Sequence, residues 1–471
     1  MTDRSCDIGL VGLGVMGKNF ALNMADKGFH VAVYNRTEEK TRLFMSDEAG
    51  HRSIEAGYTL EEFIGILKKP RAILLFVPAG DAVDEVISEL VRNLESGDLI
   101  IDCGNSHFKD TDRREESLSK EGVLFLGMGV SGGESGARHG PSLMPGGPKE
   151  AFERVRTILE PSAARVKGEP CVAYLGPRSS GHYVKMVHNG IEYGIIQLIA
   201  ESYDLLRRGL GFDIEHLQSI YEEWNAGILD SYLIEITARI LGQKDGKSGN
   251  PLLDMILDRA RQKGTGKWTS RDALDLQVPV PTIDIAVAMR NMSDYASERR
   301  KAGAALRGPS NSFTGIREIF IQELEKALFA AVLLTYAQGM SLLRRASLTY
   351  EYDLDMEAVA RIWRGGCIIR AALLEDIRHA FRMQPDLENL TLSPEIGERL
   401  LQAQEHLRSV VCTGVELGIP VPGFMSALAY YDSYRSIRLP ANLIMAQRDY
   451  FGAHRYERTD AEGTFHTDWE S

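Results

Sequence analysis

A chain of 471 residues is too long for one ordinary domain and suggests two or three, each with its own core. With 54 Lys and Arg against 66 Asp and Glu the formal charge is -12, which excludes general attraction to nucleic acid or anionic membrane; an anionic ligand needs a local basic cluster. The five cysteines, Cys6, Cys103, Cys171, Cys367 and Cys412, are odd in number and far apart, so buried reduced thiols are expected rather than a disulfide framework or a zinc site.

The N-terminal "MTDRSCDIGLVG" has no charged segment followed by a long apolar one. No apolar run approaches the roughly 18 residues of a membrane span, and a cytoplasmic protein is expected. Over the first 130 residues, "CDIGLVG", "HVAVYN", "AILLFV", "DLIIDCG" and "VLFLGMGV" read as strands alternating with helical stretches. That rhythm predicts a parallel sheet with helices on both faces, a Rossmann-type α/β domain over residues 1–179.

The first predicted strand runs into Gly12-x-Gly14-x-x-Gly17 at the start of a predicted helix, with Val15 and Met16 inside the turn. Glycines there permit a tight turn and let backbone N–H groups approach a pyrophosphate at the helix N-terminus. An NAD site would carry Asp or Glu after the second strand to accept from the ribose 2′-hydroxyl. Here stand Asn35, Arg36 and Thr37, where Arg36 can pair with a 2′-phosphate and the other two can donate hydrogen bonds. NADP is the expected cofactor; NAD stays open if Arg36 is only a solvated loop arginine. "GQKDGKS" (242–248) resembles a phosphate-binding P-loop but lacks the first glycine and follows a helix, so it is set aside. The "DCGNS" loop (102–106) and the glycine-rich loop 131–147 follow the fourth and fifth predicted strands, where such sheets bind ligands, and they offer the side chains of Asn105 and Ser131.

From about residue 180 to 437 amphipathic helical patterns take over. In "KMVHNGIEYG", Lys185, His188, Asn189 and Glu192 share one face, although Gly190 and Gly194 each cost a helix roughly 1 kcal/mol relative to alanine. "AESYDLLRRGL" (200–210) matches "AQGMSLLRRAS" (337–347) at an offset of 137, and "WNAG" (224–227) matches "WRGG" (363–366) at 139, which indicates a duplicated helical unit. In the second copy the four polar positions become Gln322, Glu325, Lys326 and Phe329, so a helix of this unit can do without them. The tail, 438–471, is rich in turn formers and charge yet holds Tyr450, Phe451, Tyr456, Phe465 and Trp469. It either packs on its own domain or reaches a second subunit.

Together "GLGVMG", "NRT", "SGGESGARHGPSLMPGG", "KMVHNGIEYG", "QKGTGKWT", "WRGGCIIR" and "QRDYFGAH" closely resemble 6-phosphogluconate dehydrogenase, nearly end to end. The resemblance implies a homodimer of Rossmann-type domains with large duplicated helical domains and C-terminal tails threaded through the partner. It implies oxidation and decarboxylation of 6-phosphogluconate with NADP. Lys185 matches the base that takes the 3-hydroxyl proton and then serves as the acid at the new carbonyl, and Glu192 the acid that protonates C1 of the enediol. Asn105, Ser131, Gly132, Gly133, His188 and Asn189 match substrate-positioning groups. Tyr193, Lys263, Thr265 and Arg290, with Arg448 and His454 of the partner subunit, match the phosphate pocket. On the cofactor side Val15, Met16, Val77 and Asn105 join the glycines. No metal is required, because the lysine charge can stabilise a developing enolate.

Departures from the family pattern are Pro78 where a Lys is usual, "DCGNSH" with Cys103 for Asp-Gly-Gly-Asn-Ser-Glu, and Ser135 and His139 for Glu and Tyr. Two alternatives stay open: a dehydrogenase of a related sugar acid or 3-hydroxy acid, since that wider group shares the glycine fingerprint and the Lys-x-x-x-Asn helix, and, from Pro78 and Cys103, a non-catalytic NADPH-binding regulatory protein. The phosphate cluster and tail argue against the first; Lys185 with Glu192 argues against the second.

Overall fold

The computed structural model describes residues 5–469; the first four and last two residues of the bounds drawn above lie outside them. β1 (Ile8–Val11), β2 (Val31–Tyr34), β3 (Ile54–Ala56), β4 (Ala72–Leu75), β5 (Leu99–Asp102) and β6 (Leu124–Ser131) pair in parallel, and β7 (Ser142–Gly146) adds antiparallel to β6. The order β3-β2-β1-β4-β5-β6-β7 reverses direction between β1 and β4, where a crevice opens at the strand C-termini. Alternation decides which side chain faces which layer. Ile8, Leu10, Val31, Val33 and Ile101 pack with α1 (Val15–Asp26), α2 (Glu38–Phe44), α6 (Gly133–His139) and α7 (Lys149–Ser162). Val11, Ala32, Ile73, Leu75 and Ile100 pack with α3 (Leu60–Gly65), α4 (Asp81–Val91) and α5 (Phe108–Lys120).

Two features differ from the sequence expectation. The sheet is not wholly parallel, because the segment read as a glycine-rich loop folds into α6 and β7, and so short a return can pair only antiparallel. β3 has three residues and sits at an edge, too short to show an alternation.

A small hairpin, β8 (Arg165–Val166) and β9 (Glu169–Pro170), leads to helices: α8 (Ser180–Asp204), α9 (Ile214–Asn225), α10 (Tyr232–Leu241), α11 (Thr265–Asp275), α12 (Pro281–Asp294), α13 (Ala296–Ala305), α14 (Arg317–Thr349), α15 (Met356–Trp363), α16 (Leu373–Met383), α17 (Pro394–Leu417) and α18 (Pro422–Tyr434). One apolar cluster runs from α8 to α18. Contrary to the sequence reading, α14 is long and apolar enough to cross a membrane, but most of its apolar stretch is buried inside this cluster. The tail forms α19 (Ala441–Gly452) and a hairpin of β10 (Tyr456–Glu457) and β11 (Thr464–Phe465).

The two helical copies cap one another. α12 and α18 each begin Val-Pro, and Val280 (φ -128, ψ 51) and Val421 (φ -130, ψ 50) have the same backbone. Gln338 on α14 accepts from the Thr282 N–H (3.0 Å) and donates to Thr282 Oγ1 (2.9 Å). At the matching position on α8, Glu201 accepts from the N–H groups of Gly423 (2.7 Å) and Phe424 (3.1 Å). Residue type follows the partner: Thr282 offers a hydroxyl for an amide to donate to, whereas Gly423 offers none, so at Glu201 both oxygens serve as acceptors.

Candidate active site

The three fingerprint glycines have separate reasons. Gly12 has φ +102, and a Cβ there would meet Phe76 O at 2.4 Å; a Cβ on Gly17 would meet Gly12 O at 1.9 Å. Gly14 has open space above it and caps α1 without any side-chain hydrogen bond, so the first N–H groups of α1 face outward to receive an anion. Asn35 is committed to the loop, its Oδ1 accepting from Leu13 N–H (3.1 Å) and its amide donating to Thr37 O (3.2 Å). This leaves Arg36 as the cation at the end of β2. Its side chain is 81% exposed and pairs with Glu85 at 3.3 Å, a surface contact it can release at little cost. Thr37 is exposed, and Val15 lies at the mouth of the turn. These residues fit a nucleotide with a 2′-phosphate.

A cleft of about 870 Å³ extends from Met16, Val77 and Pro78 past Cys103 and Asn105 to Lys185, Asn189 and Glu192 on α8. α8 comes this close because glycines line its approach: a Cβ on Gly129 of β6 would sit 2.3 Å from Lys185 Cβ, and one on Gly181 2.2 Å from Met144 O. Lys185 is only 6% exposed and has no carboxylate within ion-pair distance among the described residues. Burial pushes its pKa down, against the opposing pull of Glu192, while burial pushes Glu192 up, against Lys185 and Arg290. Both groups are thereby moved toward their neutral forms.

His188 is fully buried, held neutral by burial, and lies behind the cleft wall. Its partners set the tautomer: Nδ1–H donates to Asn189 Oδ1 (3.2 Å), so Nε2 accepts from the Ser131 hydroxyl (3.2 Å). Ser131 also accepts from Ile368 N–H (3.4 Å), and Asn189 donates to Asn105 Oδ1 (3.4 Å). Ser131 is 2% exposed, and its hydroxyl orients the histidine. Gly132 (φ +124) and Gly133 (φ +60) lie beside it, where a Cβ on Gly132 would meet Gly366 O at 2.5 Å.

At the far end Lys263, Thr265, Tyr193 and Arg290 line the cleft. Gly264 (φ +100) caps α11 without a side-chain bond, presenting a free helix N-terminus beside Lys263. The Arg290 guanidinium lies 3.4 Å above the Tyr193 ring, and Gly266 lets that ring pass, its hypothetical Cβ falling 2.4 Å from Tyr193. Arg448 and His454, on the exposed tail, do not line this cleft within the chain. The expected departures fall on its wall at Pro78 and Cys103, whose thiol donates to Ile101 O and is pushed up in pKa by burial. Ser135 and His139 lie on α6.

Sequence reasoning missed several wall residues. Arg261, Trp268 and His107 line the cleft, His107 edge-on to Trp268 at 5.0 Å. Trp268 stands within "QKGTGKWT", a motif singled out for Lys263, Thr265 and its glycines. Also missed was Arg114, 2% exposed, which donates to Asp102 (3.3 Å), Asp84 (2.8 Å) and Gly80 O (3.0 Å). Asp102 in turn accepts from Gly104 N–H (3.0 Å) and Ser106 (2.6 Å). The pair ties the loop after β4 to the loop carrying Asn105; Asp102 opens the "DCGNS" motif, but Arg114 stands in no motif of the sequence.

Fold and cleft define a dinucleotide-dependent dehydrogenase whose cofactor mouth faces a buried lysine on a helical domain. Residues 7–176 match the family described as the NAD binding domain of 6-phosphogluconate dehydrogenase, and residues 181–469 the one described as its C-terminal domain. The chain belongs to the 6-phosphogluconate dehydrogenase family. It is 53% identical over 463 residues, 98% of each chain, to the NADP(+)-dependent, decarboxylating 6-phosphogluconate dehydrogenase of Bacillus subtilis. It is 51% identical over 452 residues, 96% of this chain and 92% of the relative, to decarboxylating enzyme 2 of Saccharomyces cerevisiae. The solved 6-phosphogluconate dehydrogenase of Plasmodium falciparum, studied with NADP+ and with 6-phosphogluconate, superposes with a TM-score of 0.95 at 46% identity, covering 98% of this chain and all of that one.

Proposed function

We propose that the chain converts 6-phosphogluconate to ribulose 5-phosphate and CO2 with reduction of NADP. The observation that carries this reading is the shared cleft: Lys185 and Glu192 stand on one helix face between the sheet's nucleotide mouth and the cationic end of α11. When bound, NADP supplies the acceptor for the hydride from C3. Neutral Lys185 takes the 3-hydroxyl proton as that hydride leaves. As an ammonium it then protonates the C3 oxygen while the C1–C2 bond breaks and CO2 departs, giving an enediol. Glu192 delivers a proton to the carbon that lost CO2, and the enediol hydroxyl returns its proton to Lys185. Lys185 then passes its proton to Glu192, which resets the site, so the proton lost from the 3-hydroxyl is balanced by the one gained at C1 of the product. Asn105 and Asn189 hold the hydroxyls, and Lys263, Thr265, Tyr193 and Arg290 hold the phosphate.

We further propose a homodimer in which Arg448 and His454 of the partner subunit complete the phosphate end, with residues 1–179, 180–437 and 438–471 as cofactor, helical and exchanged parts. Support comes from α19, which leaves Leu443, Ile444 and Phe451 more than half exposed. The proposed setting is the cytoplasm, where the five unpaired cysteines stay reduced.

The test is purified protein with 6-phosphogluconate and NADP or NAD, following cofactor reduction and CO2 release. Both are expected with NADP. Reduction without CO2 would remove the decarboxylase reading, and no reduction with any sugar acid would favour a binding protein.

A further inference from the structure

At the opposite end of the strands from the cleft, three potential metal ligands from three strands meet. Cys6 stands just before β1, its backbone pinned by Cys6 N–H to Ile66 O (2.8 Å) and Lys68 N–H to Cys6 O (3.0 Å). His30 directly precedes β2, and its N–H donates to the Asp7 carboxylate (2.9 Å). Glu55 lies in β3, in one sheet row with Ala32 and Gly9. One donor atom from each of Cys6, His30 and Glu55 lies within 4.8 Å of the other two, with His30 Nε2 3.7 Å from Glu55 Oε2. The Cys6 side chain is fully buried, and its thiol makes no hydrogen bond among the described residues. The imidazole and carboxylate are 27% and 44% exposed, so solvent reaches the group from their side.

An ion pair over an apolar thiol would need only His30 and Glu55. The third, unpartnered soft ligand turns the group into a thiolate, imidazole and carboxylate set, with Asp7 adding negative charge nearby. Such a mixed set suits zinc better than magnesium or calcium, which take oxygen ligands. Tetrahedral zinc, with bonds of about 2.0–2.3 Å, needs ligand atoms about 3.3–3.7 Å apart. From separations of at most 4.8 Å the closure is no more than about 1.5 Å, within reach of side-chain rotation at the two partly exposed ligands.

We propose that Cys6, His30 and Glu55 bind one zinc-class divalent cation, with water in the fourth position, clamping β1, β2 and β3 at the sheet end away from the cofactor. Binding forms the metal–sulfur bond and releases the thiol proton to solvent. The full-length protein, stripped with a chelator, is titrated with cobalt(II), whose thiolate charge-transfer and tetrahedral d–d absorption report the ligands. The expected result is one ion per chain with a thiolate band, displaced by zinc. The band should vanish in Cys6→Ser, persist in Cys412→Ser, and need at least about tenfold more cobalt in His30→Gln. No thiolate band in the wild type, its persistence in Cys6→Ser, or its loss in Cys412→Ser would overturn the proposal. Should Cys6→Ser fail to fold, unchanged cobalt affinity in His30→Gln would overturn it equally.

Discussion

Lys185 and Glu192 are driven in opposite directions by one cause, loss of water, which favours the uncharged form of each. The kcat/KM profile should therefore be bell-shaped, with limbs that belong to the coupled pair. Glu192→Gln should remove one limb and lower kcat. Lys185→Ala should abolish turnover yet bind NADP nearly as before by fluorescence titration; loss of both would make the lysine structural. Arg36 carries a separate burden, since Asn35 is occupied in holding the turn. Removing a charged hydrogen-bond donor from a phosphate costs about 1.5–3 kcal/mol, so Arg36→Ala should raise the KM for NADP about tenfold or more. The KM for NAD should change far less. Equal changes for both cofactors would show that Arg36 does not read the 2′-phosphate.

At the scale of elements, the glycines in α8 have a packing reason. A Cβ on Gly190 would fall 2.6 Å from Thr269 Cγ2 on α11, and one on Gly194 2.6 Å from Thr335 Cγ2 on α14. Their intrinsic helix cost is offset by the close approach of two neighbouring helices, which brings α11 to the cleft. Gly194→Ala should destabilise by about 1–3 kcal/mol through overpacking. Thr335→Ser removes the offending methyl while the hydroxyl oxygen stays 3.7 Å from the new Cβ, so the double variant should recover most of the loss in urea unfolding. The reciprocal caps yield a pH effect. Burial pushes Glu201 up to about 7, against the hydrogen bonds from Gln197, Gly423 and Phe424. A carboxyl whose folded pKa is raised contributes stability below its unfolded pKa of about 4.5, and that contribution is lost as pH rises through about 7. Glu201→Gln lacks the titration. Its midpoint relative to wild type should move in the variant's favour between pH 5 and 8, by up to about 3 kcal/mol; a constant difference would mean Glu201 does not titrate there.

For the whole molecule, the tail is organised around Asp449. This fully buried carboxylate accepts from Arg455 N–H (2.9 Å), Thr467 N–H (3.1 Å) and Trp469 Nε1–H (2.9 Å). The tail thus has a fold of its own to present to another surface. Tail exchange makes a strong prediction: inactive Lys185→Ala and inactive Arg448→Ala chains, unfolded and refolded together, should regain about a quarter of wild-type activity, because each mixed dimer holds one complete site. No recovery, with mixed dimers demonstrated, would place each tail at its own chain's cleft.

Sequence alone determined what depends on neighbours along the chain. Strand alternation, the Gly12-Gly14-Gly17 turn, the uncharged-to-basic change at Asn35 and Arg36, and the polar face of α8 are all local periodicities, and local periodicity survives in one dimension. The tertiary structure decided what depends on residues brought together from afar. It turned the loop after β6 into α6 and β7, because pairing energy comes from a strand already in place. It joined Ser131 to His188 through a hydrogen bond, made Arg114 the tie between two loops, and set Cys6, His30 and Glu55 side by side. None of those groupings has a spacing to recognise, since packing and register bring their members together.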